Sequence, residues 1–119
     1  MNKVNLSDKF SLFEGYWEPK VAGELNGQLV KLAKLKGEFV WHQHEVEDEF
    51  FMVIKGQLTI KLRDKDIELN EGEFFIIPKG VEHLPVAENE VHVLMFEPKG
   101  TVNTGSTDSD KKLTELEVI

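Results

Sequence analysis

The chain has 119 residues, of which 40% are hydrophobic and 30% charged, with no cysteine and a formal net charge of −8 at pH 7. This length fits one compact domain, and no run approaches the roughly 18 consecutive apolar residues of a membrane helix. The acidic balance argues against nucleic-acid binding, which relies on lysine and arginine patches, and the lack of cysteine excludes thiolate ligands and cysteine nucleophiles.

Residues 1–20 are predicted to form an N-terminal arm that packs on the rest of the domain. The segment lacks the uninterrupted apolar centre of a secretory signal, and no cysteine requires an oxidising compartment, so we expect a cytoplasmic protein. Ser7 and Asp8 are predicted to cap a short helix before Gly15. The arm also carries a group of large apolar residues, Phe10, Leu12, Phe13, Tyr16 and Trp17.

Short strands separated by turns are predicted for residues 21–99. Asn26 and Gly27 predict a tight hairpin because both residues tolerate positive φ. Further turns are indicated around Gly56, Asp64 and residues 70–72, and the turn at 88–90 precedes a strand from Val91 to Phe96. About eight to ten short strands with such regular turn signals are typical of an antiparallel sandwich or barrel.

The first group of chemistry-bearing residues lies in the segment Gly37-Glu-Phe-Val-Trp-His42-Gln-His44-Glu-Val-Glu-Asp-Glu49. In a strand, His42 and His44 project from one face, and Phe39 points the other way. Glu49 follows His44 at an odd offset, so the polar stretch 45–48 must turn or bulge to return the carboxylate to that face.

The second block reads Gly72-Glu-Phe-Phe-Ile-Ile-Pro78-Lys-Gly80-Val-Glu-His83. An apolar strand ends at Pro78 and Gly80, which set a bend. His83 follows three residues after that glycine and is predicted to begin the return strand.

Together the two blocks resemble the two sequence motifs of the cupin superfamily. The first family motif is Gly, five residues, His-x-His, three or four residues, Glu, six residues, Gly; the second is Gly, five residues, Pro-x-Gly, two residues, His, three residues, Asn. The resemblance covers residues 37–87 and departs in two places. Only four residues separate Gly37 from His42, and Ala87 stands where the family usually has Asn.

The resemblance implies an all-β fold, an antiparallel double-stranded β-helix of the jelly-roll or cupin type spanning residues 21–99. The chain is similar to small single-domain cupins described as conserved-barrel or mannose-6-phosphate-isomerase-like proteins. By the same resemblance, the positions of the cupin metal ligands are taken by His42, His44, Glu49 and His83.

Three imidazoles and one carboxylate suit one divalent transition metal (Mn, Fe, Co, Ni, Cu or Zn) better than Ca or Mg, and the ligand set does not choose among them. An isolated His-x-His is more often a surface or hydrogen-bonded feature, but a third histidine and a glutamate at matching offsets favour a metal site. Glu45, Glu47 and Asp48 are alternatives to Glu49, although a solvated charge run explains them more simply. His92 is interpreted as structural.

Two functional hypotheses remain open. The first is a metal-dependent enzyme that acts on a small polar molecule, carbohydrate-like or aromatic, by dioxygenation or isomerisation. The second is a non-catalytic module that binds a small molecule or a metal. A barrel of about eight strands has room inside for one small ligand, and Phe51 and Val53 are the predicted apolar lining.

Two surfaces point to packing partners. Segments 50–54 and 74–77 are apolar on both faces, so the N-terminal arm or a second subunit must cover the outer side. Cupins commonly pair through their outer sheets, and the resemblance therefore implies a homodimer. Residues 100–119 are predicted to form a polar C-terminal tail that ends in one amphipathic helical turn, with Leu113, Leu116 and Ile119 docked on the barrel or on a neighbour.

Overall fold

The structure, a computed structural model, describes all 119 residues and contains one short helix and seven strands. The elements are α1 (Leu6–Phe10), β1 (Lys20–Leu25), β2 (Gln28–Glu38), β3 (Glu49–Lys55), β4 (Leu58–Leu62), β5 (Asp66–Leu69), β6 (Phe74–Ile77) and β7 (His83–Pro98). None of the helical residues forms a segment long and apolar enough to cross a bilayer.

The strands form an antiparallel jelly roll, which confirms the predicted fold class. One path of hydrogen-bonded strands runs β1-β2-β7-β3-β6, while β4 pairs with both β5 and β7. The long strand β7 serves both halves, since residues 83–86 pair with β4 and residues 92–96 pair with β3. Hydrogen bonds do not close the barrel, because β1 and β6 end the path without pairing with each other.

The hairpin between β1 and β2 follows the prediction. Asn26 has φ of 51° and Gly27 has φ of 77°, the left-handed values that a two-residue turn of this kind requires. Leu25 lies opposite Gln28, and this register holds as far as Gly23, beyond which an irregularity shifts it by one residue.

The predicted turn at residues 88–90 is wrong, because β7 runs through it as a single strand. Leu35 pairs with Val91 and Gly37 pairs with Ala87, so three residues of β7 lie opposite Lys36 alone. This bulge bends the strand from one half of the barrel into the other. The strand count is therefore seven, below the expected eight to ten.

Inward-facing side chains of the strands fill the barrel. The buried positions repeat every second residue, as expected when one face of a strand meets the core. They are Leu29, Lys31, Ala33 and Leu35 on β2, and Val91, Val93, Met95 and Glu97 on β7. A lysine and a glutamate thus continue an otherwise apolar inner surface.

The N-terminal segment forms the predicted short helix, but its cap differs. The side chain of Asn5 accepts a hydrogen bond of 2.9 Å from the backbone N–H of Asp8, so Ser7 and Asp8 lie inside the helix. Phe10 and Phe13 pack with Leu32 in a small cluster on the outer side of β2.

The predicted helical turn at the C-terminus is wrong. The N–H of Val21 donates to the carbonyl of Glu117 at 2.9 Å, and the N–H of Ile119 donates to the carbonyl of Val21 at 3.0 Å. The last residues therefore extend along the free edge of β1. An unpaired strand edge offers backbone partners that a marginal helix of a few residues cannot match.

Candidate metal centre

His42 and His83 are directly opposed at the end of the barrel. The N–H of His42 donates to the carbonyl of His83 at 3.0 Å, and the N–H of His83 donates to the carbonyl of His42 at 2.9 Å. This is an isolated bridge, because residues 39–48 form no regular strand. The prediction that His42 and His44 lie in a strand is therefore wrong. His83 begins β7, as predicted.

The segment after His44 bends back as predicted. The chain bends at Glu45 and Val46, and Glu49 is the first residue of β3. The carbonyl of His44 accepts a 2.7 Å hydrogen bond from the N–H of Gly80, so the Pro78-Gly80 bend also fixes this segment.

The structure brings all four predicted ligands together. One ligand atom from each of His42, His44, Glu49 and His83 lies within 4.8 Å of the others. All four residues are buried, with exposed fractions between 1% and 4%. Nε2 of His44 lies 2.5 Å from Oε2 of Glu49. Nε2 of His83 lies 3.6 Å from Oε1 of the same glutamate.

Backbone carbonyls orient two of the rings for ligation. Nδ1 of His42 lies 2.8 Å from the carbonyl of Val40, and Nδ1 of His83 lies 2.9 Å from the carbonyl of Val81. A carbonyl only accepts, so each Nδ1 carries the proton, and each Nε2 presents its lone pair. Nε2 of His83 is buried without a hydrogen-bond partner. Its lone pair is therefore available to a cation.

The protonation equilibria of the cluster also fit a cation. Burial, together with the neighbouring His83, lowers the pKa of His42 to about 4, which keeps its ring neutral. Burial opposes the charge on His44 and on Glu49, but their mutual contact prevails, raising the pKa of His44 and lowering the pKa of Glu49. His44 and Glu49 thus each favour the charged form of the other.

A cavity of about 40 Å³ adjoins the cluster, with His42 and Glu49 at one side. Phe51 lines it as predicted, whereas Val53 is fully buried in the core. The predicted orientation of Phe39 is wrong: its ring meets the ring of His42 edge-on, with centroids 5.3 Å apart. The irregular backbone after Gly37 breaks the alternation on which that prediction rested. The other apolar residues of the wall are Trp17, Pro19, Leu35, Pro85 and Met95.

Sequence reasoning missed the cavity residues Trp17, Glu97 and Asn103 and the partner of Glu97, Lys31. Trp17 has a positive φ of 61°, and its ring stacks on Phe39 at 4.9 Å. Nothing in the local sequence places that residue near the histidines. The inward direction of Glu97 and Lys31 could have been predicted, because both continue the period-two pattern on their strands, but their contact depends on the strand register.

Lys31 and Glu97 form a buried ion pair, with 2.7 Å between Nζ and Oε1. Their exposed fractions are 2% and 3%. Burial and the nearby charge of Glu49 raise the pKa of Glu97 above its usual range, against the opposing effect of the Lys31 ammonium group.

The C-terminal segment 100–107 lies over the cluster. The N–H of Ser106 donates to the carbonyl of Gln43 at 3.2 Å, and the hydroxyl of Thr107 donates to the carbonyl of Trp41 at 3.1 Å. Beside this segment an open depression of about 200 Å³ reaches His44, and its other lining residues are Glu45, Val46, Glu47, Val102, Gly105 and Ser106.

The remaining candidates lie outside the cluster. Glu45 and Asp48 are exposed, and Oδ1 of Asp48 accepts a hydrogen bond from the N–H of Lys79 at 2.9 Å. His92 lies on the outer side of the barrel, where its ring stacks on Phe10 with centroids 4.5 Å apart. Its Nε2 lies 2.7 Å from Oε2 of Glu90.

The sequence profile of the cupin domain family matches residues 28–97, more than half of the chain, and the protein belongs to that family. A cupin-2 domain containing protein from Shewanella frigidimarina has a similar structure, with a TM-score of 0.80 and 49% identity over 81% of this chain and 94% of that chain.

Two curated relatives match about half of the chain. The uncharacterized protein YdbB of Bacillus subtilis is 41% identical over 61 residues, which are 50% of this chain and 54% of that protein. A 3-hydroxyanthranilate 3,4-dioxygenase of Ruegeria pomeroyi is 36% identical over 64 residues, which are 50% of this chain and 35% of that enzyme. The matched regions thus span about half and about a third of these relatives.

Proposed function

We propose that this cupin binds one divalent transition-metal ion through His42, His44, Glu49 and His83 and acts on a small polar molecule by metal-assisted oxidation of the dioxygenase type. The observation that carries the proposal is the convergence of four buried ligand atoms within 4.8 Å. The partial similarity to a 3-hydroxyanthranilate 3,4-dioxygenase favours oxidation over isomerisation, which is the other reaction that such a site could support.

The donor set defines the class of metal. Three neutral nitrogens and one carboxylate oxygen suit Mn, Fe, Co, Ni, Cu or Zn, whereas Ca and Mg prefer all-oxygen sites. When bound, such an ion polarises a ligand oxygen as a Lewis acid.

The residues of the chain supply the remainder of the chemistry. The carbonyls of Val40 and Val81 hold the His42 and His83 rings in the tautomer that leaves Nε2 free. Phe39, Phe51 and Met95 form an apolar wall of the cavity, and an apolar surrounding strengthens electrostatic interactions beside it.

The size of the cavity favours a second candidate function, a non-catalytic module that binds a metal or a very small molecule. A cavity of about 40 Å³ holds only a few water-sized groups. An aromatic substrate would therefore require displacement of Trp17 or of the segment 100–107 that covers the cluster.

Metal analysis of protein purified without a histidine tag tests the proposal. We expect about one ion per chain in the wild type and near none in the His42→Ala/His44→Ala variant, because two ligands are lost. The matched control is His92→Ala, which removes a histidine outside the cluster and should retain the metal. Equal metal content in the wild type and the double variant would defeat metal binding at this site.

Activity separates the two candidate functions. Oxygen uptake by the metal-loaded wild type, screened with small acids, sugars and phenols, supports the oxidative reaction when the double variant lacks it. Metal binding without turnover of any of these compounds favours the non-catalytic module. We also propose a cytoplasmic location, supported by the absence of cysteine.

A further inference from the structure

We propose that Glu97, held in place by Lys31, is a hydrogen-bonding anchor for the small molecule that occupies the cavity beside the metal centre. The inference rests on the proposed metal-binding function and adds the class of ligand: a small molecule with a hydroxyl or amino group next to its metal-binding oxygen.

Strand register places the anchor. Leu29 lies opposite Glu97, and Lys31 lies opposite Met95, so Lys31 and Glu97 are diagonal neighbours on adjacent strands. Both side chains point into the barrel, and Nζ of Lys31 contacts Oε1 at 2.7 Å. This contact restrains the rotamer of Glu97 through Oε1.

The second carboxyl oxygen of Glu97 meets no donor of the protein. Oε2 is buried and receives no hydrogen bond, although Glu97 lines the same cavity as His42 and Glu49. The neighbouring carboxyl group of Glu49 is itself an acceptor and pairs with Glu97 only through a shared proton. A buried polar atom without a partner destabilises the folded state, so its retention in a cavity indicates a bound group that satisfies it.

The other polar side chains of the wall are already engaged. Nε1 of Trp17 donates to the carbonyl of Lys36 at 2.8 Å. The side-chain amide of Asn103 donates to the carbonyl of Lys111 and accepts from the N–H of Leu113, both at 2.9 Å. Glu97 is therefore the wall residue, apart from the metal ligands, with a polar atom free to meet a ligand.

Stability does not account for the ion pair. Replacement of a buried ion pair by apolar residues of similar volume is often neutral or stabilising. The neighbouring inward positions, Ala33, Val93 and Met95, are apolar, so an apolar pair would fit the same core.

The wall composition defines the ligand. A hydroxyl or amino group satisfies Oε2 whether or not the carboxyl group carries a proton, since both groups donate and accept. The body of the ligand lies between Phe39, Phe51 and Met95 and must be small and apolar, while its metal-binding oxygen faces His42 and Glu49.

The test uses Co²⁺-loaded full-length protein and two probes, glycolate and acetate, which share a carboxylate and differ by one hydroxyl group. Binding is followed by the visible absorption of Co²⁺. The test variant is Lys31→Met/Glu97→Leu, which removes both charges and leaves no unpaired lysine. Lys31→Met/Glu97→Gln is the conservative variant, because glutamine retains a hydrogen-bonding group at the same distance.

We expect the ratio of glycolate to acetate affinity to fall about tenfold in Lys31→Met/Glu97→Leu, as expected for the loss of one hydrogen bond. Acetate and Co²⁺ affinities should change little, and Lys31→Met/Glu97→Gln should recover most of the ratio. An unchanged ratio in a folded variant that still binds Co²⁺ overturns the anchor and leaves the proposed function intact. A wild type that does not bind Co²⁺ overturns both.

Discussion

Gly105 lies directly against the carbonyl group of Gln43, the residue between His42 and His44. A Cβ atom at Gly105 would collide with that carbonyl oxygen, and the φ of 58° also disfavours any side chain. The close approach allows the C-terminal segment 100–107 to cover the candidate metal centre.

We therefore expect Gly105→Ala to displace this segment and to lower the free energy of unfolding by about 3 kcal/mol, from backbone strain plus overpacking. Gly72→Ala is the matched control, because Gly72 has φ of 83° but open space around its Cβ position. It should cost only the strain, about 1 kcal/mol. Urea denaturation of both variants measures the difference, and equal losses would show that the Gln43 contact is unimportant.

The depression beside His44 predicts how a metal ion reaches the cluster. Glu45 and Glu47 line this opening, and their negative charges should raise the local concentration of divalent cations. In stopped-flow measurements at low salt, Glu45→Gln/Glu47→Gln should slow Co²⁺ association several-fold.

The control for this prediction is Glu68→Gln/Glu88→Gln, which removes the same charge at exposed positions that do not line the depression. The difference in Co²⁺ association rate between the two double variants should shrink in about 0.5 M salt, because screening shortens the range of the attraction between carboxylates and the cation. Equal slowing in both would mean that net charge, and not this opening, sets the rate.

The lowered pKa of His42 predicts a pH dependence of stability in the metal-free protein. Between pH 6.5 and about 4 the unfolded chain binds a proton at His42 that the folded chain does not, so the free energy of unfolding falls as the pH falls through this range. The slope due to His42 should approach about 1.4 kcal/mol per pH unit.

Urea denaturation at several pH values, with wild type compared against His42→Gln, isolates this contribution from the opposing one of His44. NMR of the imidazole nitrogens should also show His42 neutral and protonated on Nδ1 at pH 5.5. A His42 ring that titrates near pH 6.5 would contradict the prediction.

The outer surface of β3 and β6 predicts a homodimer. Phe74 and Ile76 are 58% and 50% exposed, and Phe50 stacks on Phe74 with ring centroids 4.9 Å apart. Exposed aromatic and aliphatic side chains that adjoin one another are typical of an interface.

Light scattering after gel filtration should give about twice the chain mass of 13.6 kDa at micromolar concentration, and Phe74→Ser/Ile76→Ser should give a monomer. Val46→Ser is the control, because Val46 is also exposed but lies at the acidic depression. A wild type that elutes as a monomer would refute the dimer.

Much of the candidate site could be predicted from the sequence because its signals are local. The His42-x-His44 spacing, the polar stretch before Glu49 and the Pro78-x-Gly80 bend before His83 each act over a few residues. Turn chemistry fixed the Asn26-Gly27 hairpin in the same way, since left-handed backbone at both positions matches the twist of the paired strands.

Two wrong predictions of secondary structure concern segments whose backbone forms hydrogen bonds with strands distant in the sequence. The motif at 88–90 reads as a turn, but pairing with β2 converts it into a bulge within one long strand. The C-terminal residues have helical spacing, but the free edge of β1 provides hydrogen bonds that hold them extended.

By itself, the pattern of strands and turns determined an antiparallel sandwich or barrel, because turn signals depend on neighbouring residues. The resemblance of two short motifs to those of cupins added the jelly-roll class and the four candidate ligands. Only the tertiary structure decided what surrounds them: Trp17 from the N-terminal segment, Glu97 with Lys31 from two paired strands, and Asn103 from the segment over the cluster. These residues are far apart along the chain, and their contacts arise from strand register and packing, which no short stretch of sequence encodes.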